Sequence, residues 1–229
     1  MKKLFIIFIY LLFTTFIFAT DFSLGIKCNL GWNKFIQKTI INEKEEGDVD
    51  ENYGYRLGNK VGIIFGIQIS DIFAFEPELL VHFGNGYSIS EEEDGFSSYY
   101  TLSFTTIELP LMIKTKFPLG PGYFAFATGP NFCYAINKIN ESLEYKIENT
   151  TGDSSNTLTL EDKNMKNLYI SFAVGAEYGL PLGPGDLIFG GRWEIDLTNI
   201  YDNSNSPKNI NHITRRISIM PSIAYMFKF

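Results

Sequence analysis

The end of the chain limits the possible folds most, because residues 217–229 (ISIMPSIAYMFKF) alternate in character up to the last position. One face carries Ile217, Ile219, Pro221, Ile223, Tyr225, Phe227 and Phe229, and the other carries Ser218, Met220, Ser222, Ala224, Met226 and Lys228. Successive side chains of a strand point to opposite faces, so the segment is predicted to be a strand with one apolar face. Chain ends usually fray in solvent, whereas a closed barrel needs its last strand for pairing.

The beginning of the chain resembles an export signal. Lys2 and Lys3 precede an apolar run over residues 4–18, and Ala19 is a suitable cleavage residue. We predict a cleaved signal peptide over residues 1–19 and a mature domain over residues 20–229. An uncleaved membrane anchor is the alternative, although the run is shorter than the ~20 residues of a spanning helix. No later run is long enough either, so membrane insertion would have to use strands.

Charge and cysteine content exclude two classes of protein. The net charge is -7, which argues against a nucleic-acid partner. Cys28 and Cys133 are the two cysteines of the sequence, too few for a disulfide-stabilised scaffold. Their positions in the alternating segments place Cys28 outward and Cys133 inward, so we expect both thiols to be free.

Eight segments alternate in this way, and their connections alternate between long and short. They cover residues 21–33, 60–70, 73–87, 99–117, 123–136, 167–180, 187–200 and 213–229. Long polar loops and short turns of this kind are typical of outer-membrane barrels, whereas a soluble barrel would place its apolar residues inside. The sequence therefore predicts an all-β, eight-stranded, antiparallel up-and-down transmembrane β-barrel in the bacterial outer membrane, with both termini periplasmic.

Three local features refine this prediction. Residues 118–122 (PLGPG) and 181–186 (PLGPGD) are predicted to form short, stiff turns. Pro77 cannot donate a hydrogen bond to a neighbouring strand, so we expect a bulge or an edge-like break there. Leu102 and Phe104 are out of phase with the lower part of their strand, which predicts a bulge near residues 104–106.

Three segments carry a resemblance to a known family: residues 107–132 (IELPLMIKTKFPLGPGYFAFATGPNF), residues 170–200 (ISFAVGAEYGLPLGPGDLIFGGRWEIDLTNI) and the closing strand. The chain resembles the outer-membrane-protein β-barrel domain family, in particular the PorT-like group of small eight-stranded barrels. The resemblance implies outer-membrane lipid as the surroundings and contact with the barrel-assembly machinery during insertion. It also implies that Tyr225, Phe227 and Phe229 form a carboxyl-terminal assembly signal. Fold does not fix function, and the ligand of the loops is not implied.

The inward faces of the predicted strands carry charges of both signs. We expect a lumen network that includes Lys27, Glu76, Glu78, Glu108, Lys114, Glu177, Arg192, Glu194, Asp196 and Arg216, with Lys116 and Lys228 also facing inward. Side chains just fill an eight-stranded barrel, so balanced charges there predict a paired network that closes the lumen. A narrow ion or proton path is the alternative. Within the network, we expect Arg192 to pair with Glu177, because either charge would be costly to bury alone.

Little in the sequence indicates catalysis. His82 is an inward-facing residue near Glu76 and Glu78, and we expect it to be a hydrogen-bonded filler of the interior. No catalytic triad, metal-ligand cluster or phosphate loop is present, so no cofactor is predicted. We therefore predict a non-catalytic membrane protein with a structural or loop-mediated binding role. A narrow pore and an outer-membrane lipid-modifying enzyme are the alternatives.

Overall fold

The computed structural model describes residues 21–41, 44–48, 53–93, 96–147, 150–159, 164–207 and 210–229. The predicted signal peptide lies outside these residues. Eleven strands are found there: β1 (Asp21–Ile41), β2 (Lys44–Asp48), β3 (Tyr53–Gly54), β4 (Arg56–Gln68), β5 (Phe73–Glu93), β6 (Phe96–Leu119), β7 (Gly122–Ile147), β8 (Thr150–Leu158), β9 (Leu168–Leu182), β10 (Gly185–Asp196) and β11 (Ile210–Lys228). A short 3₁₀ helix, η1, spans Asn203–Asn205. Among the described residues, no helix is both long and apolar enough to cross a membrane.

Eight of these strands form a closed antiparallel ring in the order β11, β10, β9, β7, β6, β5, β4 and β1. The ring closes where β11 pairs with β1, from Ser23 opposite Lys228 to Ile41 opposite Ile210. The last strand therefore meets the first, as the alternation of residues 217–229 predicts. The eight-stranded, all-β architecture predicted from the sequence is confirmed.

The two faces of the ring differ in the way that the alternation predicts. Trp32 and Trp193 are outward-facing and more than half exposed, at 52% and 56%. On the inner face of the same strand as Trp193, Ile188 is 2% exposed and Arg192 is 3% exposed. An apolar exterior around a charged interior is typical of a transmembrane barrel. Cys28 is exposed and Cys133 is buried, and both thiols are free, as predicted.

Two of the short turns have a shared geometry. In the β6–β7 turn, Gly120 has a φ of +60°, and in the β9–β10 turn Gly183 has a φ of +62°. A proline follows each glycine, and its ring fixes φ near −65°. A type II′ hairpin turn has glycine with a positive φ at its first central position and a residue with a negative φ at its second. This turn type matches the twist of the paired strands. The stiff turns predicted from the sequence are therefore present.

The polar segments that we expected to be loops are largely strands. β5, β6 and β7 run past the barrel, β8 pairs with β7, and β3 pairs with β5. We call this sheet of β3, β8 and the ends of β5, β6 and β7 the extension. The expectation of loops was wrong because the barrel strands were recognised by their lipid-facing apolar side. The strands of the extension do not have such a side. They therefore lack the apolar alternation of the barrel strands.

Both predicted irregularities occur, with details that the sequence did not indicate. The pairing of β4 with β5 is interrupted opposite Pro77 and resumes in the same register. The irregularity is therefore a gap in the pairing, without the extra residue of a bulge. The β6–β7 register shifts between Phe104 and Thr106, and the β5–β6 register shifts between His82 and Asn85. The extra residues at these shifts lie on β5 and β7, and β6 itself alternates without a break, so Leu102 and Phe104 face inward like Glu108. They belong to a buried group, which we call the mouth core, made of Phe35, Leu102, Phe104, Cys133, Ala135, Ile139, Tyr169 and Ile200.

Candidate functional site: the charged interior

The charged side chains of the interior form two clusters. The turn-side cluster, nearer the short turns, consists of Lys27, Glu76, Glu78, Lys114, Glu177 and Arg192. The mouth-side cluster, next to the mouth core, consists of Lys60, His82, Glu108, Glu194, Asp196 and Arg216. Each member of both clusters is at most 5% exposed.

The turn-side cluster is a chain of ion pairs that crosses the lumen. Arg192 donates two hydrogen bonds to Glu78, from Nη1 to Oε2 at 2.9 Å and from Nη2 to Oε1 at 2.7 Å. Lys27 Nζ lies 3.2 Å from Glu78 Oε1 and 3.0 Å from Glu177 Oε1. Lys114 Nζ then lies 2.5 Å from Glu177 Oε2 and 2.6 Å from Glu76 Oε2. Three cations and three carboxylates alternate along this chain, so the cluster is formally neutral.

The mouth-side cluster is centred on Glu108, which is fully buried. Glu108 Oε2 accepts hydrogen bonds from Lys60 Nζ at 2.7 Å and from Asn131 Nδ2 at 2.8 Å. Its Oε1 lies 3.1 Å from Arg216 Nη1 and 2.9 Å from His82 Nδ1. One carboxylate from β6 thus joins side chains of β4, β5, β7 and β11.

Glu194 and Asp196 complete the mouth-side cluster. Lys60 Nζ also donates to Glu194 Oε2 at 2.6 Å. Arg216 Nη2 lies 3.5 Å from Glu194 Oε2 and 3.4 Å from Asp196 Oδ1. The guanidinium of Arg216 also lies 5.5 Å from the centroid of the Tyr169 ring, which connects the cluster to the mouth core. Because buried charges are costly unless they are paired, the two clusters depend on having every member in place.

His82 is a member of this network and has no access to solvent. Besides Glu108, its ring contacts Asn33 Nδ2 at Nε2, 3.3 Å away, and Arg216 Nη1 at Nδ1, 3.2 Å away. A ring held from both nitrogens in the barrel interior is not placed to meet a lipid substrate at the outer wall. Across the described ranges, no three His, Cys, Asp or Glu side chains are grouped so as to hold a metal ion.

The structure places all ten residues of the predicted lumen network in one or other cluster, but one expected pair is wrong. Arg192 pairs with Glu78 and not with Glu177. The strand register explains this, because Glu177 lies opposite Gly190 and Arg192 lies opposite Gly175. Arg192 is therefore displaced toward the mouth and reaches across the lumen to β5.

Sequence reasoning missed Lys60, whereas two lysines that it placed inside, Lys116 and Lys228, lie at the turn end of the lumen and belong to neither cluster. Lys60 has the same parity as the inward-facing Ile64, but it stands at the predicted start of its strand and was not included among the interior charges. Following the alternation one residue further would have found it. Lys116 is only half-buried, and Lys228 has a side chain that is 55% exposed and pairs with Asp186 at the turn end of the barrel.

The three aromatic residues of the predicted assembly signal lie on the outer wall at the turn end. The rings of Tyr225 and Phe227 pack edge to face, with centroids 4.8 Å apart. Tyr225 donates a hydrogen bond to the carbonyl oxygen of Leu182 at 2.7 Å. Phe229 is 78% exposed, and its amide donates to the carbonyl oxygen of Phe22 at 3.0 Å. The last residue thus takes part in closing the ring.

A comparison with protein families agrees with this architecture. The family model described as the outer membrane protein beta-barrel domain matches residues 18–202, which is most of the chain. This chain belongs to the outer membrane protein β-barrel domain family. As a member of that family, it is a bacterial outer-membrane protein. No curated protein sequence matches it significantly.

Solved outer-membrane proteins resemble this family member at low sequence identity. OprG from Pseudomonas aeruginosa is 10% identical, with 92% of this chain and 96% of that chain covered and a TM-score of 0.48. Neisserial surface protein A is 9% identical, with 88% and 97% covered and a TM-score of 0.34. Ail, the attachment invasion locus protein of Yersinia pestis, is 7% identical, with 89% and 98% covered and a TM-score of 0.30. No argument about function rests on these likenesses.

Proposed function

We propose that this outer-membrane barrel is closed to solutes and serves as a non-catalytic anchor that displays the extension at the cell surface for structural or binding roles. The observation that carries the proposal is the filling of the lumen. Two layers of ion pairs cross it, and Glu108 and Arg216 at its centre have no exposed surface. Beyond them the mouth core adds a layer of apolar side chains.

The filled interior also bears on the alternatives. A narrow pore would need a continuous hydrated path, whereas these layers place paired charges and then apolar side chains across the lumen. A lipid-modifying enzyme would need acid–base groups at the outer wall. The buried position of His82 argues against that role for it.

The remaining features of the proposal concern export and orientation. The first residues of β1 and the last residues of β11 lie at the same end of the barrel as the short turns. The extension lies at the other end. Short turns are periplasmic in bacterial barrels, which supports periplasmic termini and an extracellular extension. A signal peptide over residues 1–19, kinship with the PorT-like group and insertion by the barrel-assembly machinery are further parts of the proposal.

Surface labelling of cysteine variants tests the display of the extension. In a Cys28→Ser background, Asp153→Cys places a thiol in β8, and Pro184→Cys places one in the β9–β10 turn. Both positions are exposed, so accessibility depends on which side of the membrane they occupy. On intact cells, a membrane-impermeant maleimide is expected to label Asp153→Cys alone. Pro184→Cys is expected to react only after the outer membrane is permeabilised. Labelling of Pro184→Cys but not Asp153→Cys on intact cells would contradict the proposed orientation.

A further inference from the structure

A groove runs along the outer wall of the barrel over β11 and β1, beside Tyr55, which precedes β4. Its volume is about 380 Å³, and it is lined by Trp32, Lys34, Tyr55, Ile217, Ser218 and Ile219. Its walls are accessible from outside, because Trp32 is 52%, Ile219 is 55% and Tyr55 is 67% exposed. The floor and walls are mostly apolar, so a hydrocarbon chain fits the groove better than a polar ligand does.

The groove lies at the mouth end of the apolar band. Ile219 is paired with Trp193 on one side and with Trp32 on the other, so both tryptophans of the sequence lie at one level. Tryptophan is enriched where membrane proteins cross from hydrocarbon to headgroups. Below this level, exposed Leu30 and Ile223 continue the apolar wall. The groove is thus continuous with the surface that faces the bilayer, and the bilayer itself would supply its occupant.

Basic side chains lie just beyond this level. Lys34 is two residues from Trp32 on the same face and lies opposite Ile217. Its Nζ lies 6.0 Å from the centroid of the Tyr55 ring. Arg215 is exposed and lies opposite Ile36, beside Lys34 and Lys38 on the neighbouring strand. The outward-facing charged residues of β1 and β11 at this end are Lys34, Lys38 and Arg215, and Asp48 of β2 lies opposite Lys38. This patch therefore suits an anionic headgroup above the groove.

We propose that the groove binds an acyl chain of a phosphorylated lipid, whose phosphate is held by Lys34 and Arg215. Trp32 and Tyr55 would contact the part of the acyl chain nearest the headgroup, and Ile217 and Ile219 would pack against it from the barrel wall. Phosphate accepts hydrogen bonds from both cations, and the guanidinium can bind it with two. The assignment to the outer leaflet rests on the orientation given in the proposed function. The site itself does not depend on that orientation.

The test uses purified mature protein in zwitterionic micelles, titrated with bis-phosphorylated lipid A. A Trp193→Phe background leaves Trp32 as the fluorescent reporter inside the groove. We expect saturable fluorescence change with lipid A and a much weaker response to the same lipid with its phosphates removed. Lys34→Gln combined with Arg215→Gln should weaken the apparent affinity by about 25-fold, because each basic residue contributes a factor of about five near an anionic lipid. Lys138→Gln, which removes an exposed lysine on β7 away from the groove, should leave the affinity unchanged.

Correct folding of each variant is checked by its shift in gel migration on heating in detergent. Equal affinity of the double variant and the parent would overturn the proposal, as would equal binding of phosphorylated and phosphate-free lipid. Equal weakening by Lys138→Gln would also overturn it, since that result would reflect net charge alone. Because binding in micelles is independent of orientation, failure of this test and failure of the surface-labelling test are separate results.

Discussion

Replacing Glu108 with alanine is expected to destabilise the folded barrel by about 3–5 kcal/mol, the effect of removing one partner from a buried ion pair. The cost is high because Glu108 is shared by Lys60, Arg216, His82 and Asn131. Its removal takes the central acceptor from two buried cations at once. Glu108→Gln should be less damaging, because the amide oxygen can still accept hydrogen bonds although the negative charge is lost.

Urea unfolding of protein refolded in micelles, followed by tryptophan fluorescence, measures this effect. Glu144→Ala is the matched control, because Glu144 is an exposed glutamate on β7 in the extension. A surface substitution of that kind should change the unfolding free energy by less than about 0.5 kcal/mol. If Glu108→Ala had the same unfolding free energy as Glu144→Ala, the mouth-side cluster would not contribute to the stability of the folded barrel.

Deleting Phe229 is expected to lower the folded, membrane-inserted fraction several-fold in cells. Phe229 contributes both a hydrogen bond to Phe22 at the closing seam and an exposed ring at the chain end. Loss of the residue removes the last backbone contact between β11 and β1. It also removes the terminal member of the aromatic series that we propose as the assembly signal.

The folded fraction is measured in isolated outer membranes from the heat-dependent shift in gel migration. Deletion of Ser154 from β8 is the control, since it shortens the chain by one exposed residue in a strand whose pairing among the described residues is with β7. We expect that deletion to leave insertion nearly unchanged. Equal folded fractions for the two deletions would mean that the chain end has no special part in assembly.

The ring could be predicted from the sequence because one physical signal repeats in every barrel strand. A barrel strand has lipid on one side and a crowded polar interior on the other, so its apolar residues recur at every second position. This period makes segments such as 21–33 and 217–229 recognisable. The glycine–proline pairs at Gly120 and Gly183 identified the tight turns for an equally local reason. Both features depend on neighbouring residues alone.

The extension and the mouth core were not predicted, because both lie beyond the lipid. Beyond the lipid, the outer face of a strand is free to be polar and the inner face to be apolar, so the sign of the alternation reverses. Leu102 and Phe104 looked out of phase for that reason. The sequence located the accompanying bulge, but it did not indicate that these side chains form a core with Phe35 and Tyr169.

The charged residues of the interior could be identified by parity, but their partners could not. Pairing depends on how strands stagger around the ring, which sets the level of each side chain along the lumen. The stagger of β9 against β10 separates Arg192 from Glu177 and brings Arg192 to Glu78 on β5. A contact across the lumen of this kind joins residues 114 positions apart, and no local pattern encodes it.

Planar-bilayer recording of the purified protein tests the closed lumen most directly. Insertion is verified beforehand by the heat-dependent shift in gel migration of the same preparation. With salt on both sides and an applied voltage, we predict no conductance steps above the protein-free baseline, because the two charge clusters and the mouth core fill the lumen. Reproducible unitary conductance steps from the folded wild-type protein would contradict the account and favour a narrow pore.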